Sequence, residues 1–262
     1  MTNPIFGYPT ATDYFVLGGG SYNALYPRDN MKNDDLDMVA RTIDDNAPNT
    51  TVYGTAPTPV SIGLIGVFNI NWSMDSTVRL RMWSDAAMAT APLMDETMPV
   101  FPNGRYCDTH WIYLCDENFL IQAFRVDVID SANIEGFIDF GRLEVAHARE
   151  CGFGMIRGSQ RGRLLRTGSA QTPGGMKFFR ELDSARTMKL SFDAEEDEMI
   201  DFYQEMLRIY DLHTPFVLIP HPDDLIHSNQ TSMLCRFTAT SPAITLIESF
   251  RSQISFEVEQ VL

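Results

Sequence analysis

Nowhere in this 262-residue chain do about 18 apolar residues run together, the length a helix needs to cross a bilayer, so membrane insertion is not expected. The opening Met1-Thr-Asn-Pro-Ile-Phe6 lacks a basic stretch followed by an apolar one, so no secretory leader is read there and synthesis in the cytoplasm is the default. Basic charge is scarce. Twenty Lys and Arg against 35 Asp and Glu leave a formal charge of −15, which excludes general nucleic-acid binding, since that needs a basic surface. The four cysteines, Cys107, Cys115, Cys151 and Cys235, contain no C-x-x-C pair. Neither a zinc ribbon nor a compact disulfide framework is expected; Cys107 and Cys115 are spaced to meet across a hairpin, but buried free thiols suit a cytoplasmically made chain. Gly18-Gly-Gly20 is no phosphate loop, because no Lys-Ser/Thr and no helix start follow it. No G-x-S-x-G surrounds Ser73, Ser131, Ser159 or Ser169, so no nucleophile elbow is indicated. No cofactor is expected.

What is present suffices for a real core: 44% hydrophobic residues and 11% aromatics. Residues 1–50 are turn-rich. Strand signals follow at Val60–Phe68, Val78–Met82, Trp111–Leu114, Phe119–Ile129 and Gly136–Val145, with 85–105 reading as a long loop carrying one short element. Many short strands without a helical period predict an antiparallel sandwich or jelly roll. Composition shifts near Cys151-Gly-Phe-Gly154, which sets domains at 1–152 and 153–262. In the second, strands are predicted at 162–167, 176–182, 186–192, 215–220, 232–239, 243–250 and 252–261. Met188, Leu190 and Phe192 alternate with polar neighbours, the period of a half-buried strand. A single helix is predicted over 194–210, with Met199, Phe202, Tyr203, Met206, Leu207 and Tyr210 on one face. Asp193 with Glu196 reads as a capping-box variant at its start. Thr167–Gly175 reads as a flexible loop, or the tip of a long hairpin arm.

Candidate chemistry is sparse. His221, Asp223, Asp224 and His227 are metal-ligating types in a Pro-stiffened stretch, which would suit a metal-dependent hydrolase, but Asp and Pro are also ordinary turn residues. His147 beside Arg149-Glu150, and His110 near Asp108, read as hydrogen-bonded structural groups. Asp127, Asp130, Glu135 and Asp139 supply carboxylates without a pairing that spacing alone reveals. Trp72, Trp83, Trp111, Tyr106 and Tyr113 are the types that form a sugar-binding platform, but large aromatics more often pack into cores. No catalytic or metal residue is assigned.

Charge is unevenly distributed. Residues 155–190 carry eight bases (Arg157, Arg161, Arg163, Arg166, Lys177, Arg180, Arg186, Lys189) against two acids, Glu181 and Asp183. Residues 193–211 carry eight acids (Asp193, Glu195, Glu196, Asp197, Glu198, Asp201, Glu205, Asp211) against Arg208. These are either two solvated faces or complementary surfaces of neighbouring subunits, since opposed patches fix register. Arg157, Arg161, Arg163, Arg166, Lys177, Arg180, Glu195, Glu196, Glu198 and Asp201 are the candidate subunit interface.

Two stretches resemble a known family. Ala123-Phe-Arg-Val-Asp-Val-Ile-Asp130 continuing through Asn133 and Gly136-Phe-Ile-Asp-Phe-Gly141-Arg-Leu143 is similar to a pattern in minor tail and tail-tip proteins of long-tailed bacteriophages. Arg186–Phe192, the helix, and Pro215-Phe-Val-Leu-Ile-Pro-His-Pro-Asp223 resemble their strand–helix–strand. Weaker echoes lie at Leu25-Tyr-Pro-Arg28, Ala40-Arg-Thr42, Asn71-Trp-Ser73 and Val78–Arg81. The resemblance implies a mainly β chain: an N-terminal galactose-binding-like jelly roll, then a C-terminal β-sandwich of tail-tube or distal-tail type with one helix. It implies a non-enzymatic virion protein of the tail tip or baseplate. Its partners would be copies of itself in a ring and the tube, hub and tape-measure proteins, with a host-surface glycan as a further partner of the jelly roll. A carbohydrate-binding adhesion module is the alternative.

Overall fold

The computed structural model describes residues 3–101, 110–155, 159–164, 167–171, 177–181, 185–210, 213–224, 231–238, 243–248 and 251–261. Its strands in chain order are β1 (Ile5–Thr10), β2 (Val16–Gly18), β3 (Ala40–Arg41), β4 (Thr51–Phe68), β5 (Thr77–Trp83), β6 (Met94–Pro99), β7 (His110–Ile129), β8 (Asp139–Phe140) and β9 (Leu143–Glu150). Then come β10 (Gln160–Leu164), β11 (Thr167–Gln171), β12 (Lys177–Glu181) and β13 (Ala185–Glu195). One helix, α1, runs through Glu196–Glu198, Met199–Gln204 and Glu205–Ile209. Last are β14 (Phe216–Ile219), β15 (Met233–Phe237), β16 (Ala243–Glu248) and β17 (Arg251–Gln260). Among the described residues the class is mainly β with one α-helical stretch longer than a turn, as expected, and short 3-10 turns lie at Thr12–Tyr14 and Arg28–Lys32.

The chain forms two compact units: Met1–Glu150 with Phe216–Met233, and Cys151–Pro215 with Leu234–Leu262. The division after Glu150 lies close to the junction read at Cys151–Gly154. The contiguous domain 153–262 does not describe the molecule, because Phe216–Met233 returns to the N-terminal unit. The reason is pairing: the apolar run of β14 adds to β1, Ile5 opposite Ile219 and Phe6 opposite Leu218, and all four β14 residues are buried.

In the N-terminal unit the antiparallel strand order is β14-β1-β9-β4-β7-β5-β6, with β2 on the free part of β4. The 20-residue β7 joins two separately predicted strands, Trp111–Leu114 and Phe119–Ile129. Its ladder to β4 absorbs the polar interval by shifting register, between Thr55 and Val60 and again between Ile62 and Leu64. Inward residues of β4, β5 and β7 (Val52, Ile62, Ile65, Val78, Leu80, Phe124, Val126) pack with Phe15, Met31, Trp72, Trp111, Ile138 and Phe140 into one core. Two glycines permit close approach. A Cβ on Gly18 would lie 2.3 Å from the Tyr53 ring, and one on Gly141 would lie 2.0 Å from the Phe68 carbonyl oxygen. So Gly18-Gly-Gly20 is turn and packing material.

In the C-terminal unit the order is β10-β13-β17-β15, with β16 also on β17. On β13 Met188, Leu190 and Phe192 are buried as predicted, but Ser191, expected on the polar face, is buried too and shares a 2.8 Å hydrogen bond with Ser255. Along α1, Met199, Phe202, Tyr203, Met206 and Tyr210 are buried, while Leu207 is only partly so. The Met199–Gln204 stretch is π-wound, which turns successive residues through less than 100° each and brings neighbouring Phe202 and Tyr203 together onto the core side. The capping box is not formed. Asp193 is still in β13, opposite Gln253, and Glu195 caps the helix without a side-chain hydrogen bond. The first-turn acids Glu196, Asp197 and Glu198 still suit the positive end of the helix dipole.

Candidate functional site

The C-terminal unit carries a hairpin arm. β10 pairs β13 from Gln160 opposite Lys189 to Leu164 opposite Ala185. β11 pairs β12 from Thr167 opposite Glu181 to Gln171 opposite Lys177. The two ladders differ in register by one residue, and the outer one forms a two-stranded sheet with no further strand among the described residues. Thr167–Gln171 is therefore strand and not the flexible loop read from its Gly, Ser and Thr content, since cross-strand pairing overrides the weak local preference; Thr172–Gly175, the rest of that stretch, lies outside the described residues. All five β10 residues are exposed.

The candidate interface residues fall as follows. Arg161 and Arg163 stand exposed on β10, and Arg163 faces Arg186 across the ladder. Lys177 and Arg180 lie on the backbone of β12. Arg157 and Arg166 lie outside the described residues. Glu195, Glu196 and Asp201 are exposed at the start of α1. Glu198 is partly buried, and its Oε1 accepts a 2.6 Å hydrogen bond from the Gly152 backbone N–H, so its charge is partly used within the subunit. Part of the basic stretch is also matched internally. Lys189 faces Glu257 across β13 and β17, and the Arg186 Nε donates to the Gln260 Oε1 at 3.0 Å.

The N-terminal unit gathers the polar residues of the resemblance into one lock. Asn71 Nδ2 donates to Glu135 at 2.7 Å and to the Phe137 carbonyl at 3.1 Å, and its Oδ1 accepts from the Asp139 N–H at 2.8 Å. Trp72 Nε1 donates to the Asp139 carbonyl at 2.9 Å, and the Ser73 N–H donates to Asp130 at 2.7 Å. Arg41 makes a bidentate pair with Asp139, both bonds 2.8 Å, and its guanidinium lies 4.7 Å from the Tyr26 ring centre and 3.9 Å from that of Phe137. Arg142 bridges Asp34 and the buried Glu144, and Glu144 also accepts from Thr10. These groups tie distant segments together.

On the outer face of the same unit, cross-strand register sets Tyr53, Arg125, Arg81 and Asp95 in one row, and Thr51, Asp127, Arg79 and Thr97 in the next. Asp127 accepts from Thr51 at 2.7 Å, from Arg125 at 2.8 Å and from Arg81 at 2.5 Å. Burial would raise its pKa, but these three donors outweigh it and hold the carboxyl below the ordinary value.

The remaining candidates separate. His221, Asp223 and Asp224 follow β14, His227 lies outside the described residues, and among the described residues no three His, Cys, Asp or Glu side chains form a metal-ligand group. His147 shares a 3.0 Å hydrogen bond with Ser61, and burial, then Arg149, lowers its pKa. His110 is buried against Phe68, with ring centres 5.6 Å apart; Asp108 lies outside the described residues. Trp72, Trp83 and Trp111 are buried, and the Tyr113 hydroxyl donates to Glu96 at 2.7 Å, so these aromatics form no open platform; Tyr106 lies outside the described residues. Cys115, Cys151 and Cys235 are buried free thiols, and burial, then Glu96 and Asp116, pushes the Cys115 thiol up to about 12. Cys107 lies outside the described residues.

No family model matches the chain, and no curated protein matches it. Solved structures do. The module CBM32-1 of a family 31 glycoside hydrolase from Clostridium perfringens aligns at 10% identity and TM-score 0.39, over 53% of this chain and 98% of the module. The family 32 carbohydrate-binding module of Clostridium perfringens NanJ, in complex with galactose, aligns at 8% identity and TM-score 0.39, over 54% and 98%. A family 89 glycoside hydrolase from Clostridium perfringens aligns at 11% identity and TM-score 0.41, over 56% of this chain but 15% of the enzyme.

Proposed function

We propose that this chain is a structural component of a bacteriophage tail tip, joining copies of itself through its C-terminal unit. The supporting observation is the arm. Among the described residues β11 and β12 pair only with each other, and a two-stranded ribbon standing alone is marginally stable in water, so a partner surface would steady it. The arm is basic in sequence, and the start of α1 presents exposed acids. One copy's arm against the next copy's helix makes a heterologous contact, which closes into a ring when the rotation permits. The resemblance of the motif-bearing stretches to tail-tip proteins supplies the setting, and tube, hub and tape-measure proteins are the further partners. Immunogold labelling of tailed particles that carry the chain is expected to mark the distal tip; label on the capsid or along the tube would refute the placement.

A second reading is carbohydrate binding by the N-terminal unit. The observation favouring it is the outer sheet face, where the partly exposed Tyr53 ring stands in the row of Arg125 and Arg81, with Thr55 and Thr97 nearby in register. A ring face beside hydrogen-bonding groups suits a saccharide. A glycan array with the purified chain tests it: reproducible binding to one glycan class supports it, and uniform silence removes it.

A further inference from the structure

We infer that Arg81 and Arg125 form a fork on the outer face of the N-terminal unit that binds a carboxylate, free or carried on a sugar ring. In the sugar-borne case this deepens the carbohydrate reading; in the free case it stands without it. The two arginines are direct cross-strand neighbours on β5 and β7, an arrangement of like charges that is destabilising unless an anion lies between them. Asp127 supplies one such anion, taking a single N–H from each guanidinium. Each guanidinium has five N–H donors, and these two bonds are the only hydrogen bonds either side chain makes among the described residues. Arg81 Nε is sealed from solvent and takes no part in the fork, and the guanidinium lies 5.6 Å from the Trp83 ring centre, so the donors offered to a ligand are the terminal N–H groups. Arg79 does not share Asp127. It is held bidentately by Asp95 at 2.7 Å in both bonds.

Among the described residues the ion-paired charges on this face are Arg79, Arg81 and Arg125 against Asp95 and Asp127, a surplus of one positive charge on a chain whose total is −15. One surplus charge matches a monoanion, and planar guanidinium donors match the planar two-oxygen face of a carboxylate. The site is reachable: the Arg125 side chain is 34% exposed and that of Arg81 19%. The acidic total argues against a polyphosphate chain as ligand.

Calorimetric or NMR titration of the full chain with galacturonate, its neutral methyl ester and acetate tests the assignment. Galacturonate is expected to bind and the ester not to. If galacturonate binds more tightly than acetate the carboxylate is sugar-borne; equal affinity identifies a free carboxylate. Arg125→Gln is expected to weaken binding about tenfold, and Arg125→Lys, which keeps the charge but loses the fork, to weaken it as well. Melting curves establish that each variant is folded, and Arg81→Lys replaces any that is not. Failure of both acids to bind up to on the order of 10 mM, equal binding of acid and ester, or unchanged affinity in folded variants would overturn the inference. Equal binding of acid and ester would leave the carbohydrate reading standing while removing this site.

Discussion

Arg41 and Asp139 are 98 positions apart, yet they form a close ion pair in the N-terminal unit. The pair is two-pronged, stacked between two rings, and set on the short β3–β8 ladder. Removing the cation leaves Asp139, buried at its backbone and side chain, without its partner. Arg41→Met is therefore expected to lower stability by about 2 kcal/mol in urea unfolding; a change near zero would show that solvent replaces the pair. Glu144 makes the opposite case. It is fully buried, and desolvation outruns the attraction of Arg142 and the hydrogen bond from Thr10, so its folded pKa is raised. Both states are protonated in acid. As pH rises, the unfolded carboxyl ionises first, so stability that is complete below the ordinary glutamate value falls as pH climbs toward the raised folded one. Glu144→Gln is expected to flatten this fall as pH climbs above the ordinary glutamate value. An unchanged slope would mean another group governs it. Residue types at these positions were legible in the sequence, Asn71, Asp139 and Arg142 among them, but their partners were not. Nothing local in a strand records which residue a hundred positions away will face it.

At the scale of elements, α1 was legible because its apolar residues recur at helical spacing, and the ones that recur are the ones buried. Phe202→Ala is expected to cost about 3–5 kcal/mol, whereas Ile200→Ala, at a half-exposed position, should cost less than about 0.5 kcal/mol. Equal losses would mean the helix does not pack by this face. The π-wound turn and the absent capping box were not legible, since both depend on how β13 delivers the chain into the helix. The arm was half legible. Its turn-like composition pointed to a tip, but the strand at Thr167–Gln171 arises from pairing with Lys177–Glu181. Leu164 and Ala185 are direct cross-strand partners, so an Asn-Gly turn can join them in place of residues 165–184. This shortened chain is expected to unfold within about 1 kcal/mol of the parent, because the sheet around β13 and β17 is untouched. A loss of the cooperative transition would make the arm part of the fold instead of an attachment.

For the whole molecule, the mainly β architecture with one helix followed from the frequency of short alternating segments. The interleaving of the two units did not. A contiguous division was the natural reading of a composition shift near residue 150, and only the pairing of β14 with β1 returns Phe216–Met233 to the first unit. At this scale the two proposals divide the labour: the C-terminal unit assembles, and the outer face of the N-terminal unit meets a ligand. A contact between a basic arm and an acidic helix start is sensitive to screening. Sedimentation velocity of the purified chain, with and without residues 165–184 and at low and high salt, tests the central claim most directly. The account predicts a discrete closed oligomer at low salt that weakens with added salt and is lost in the arm-shortened chain; a parent chain that stays monomeric at every concentration, or an oligomer indifferent to loss of the arm, would contradict it.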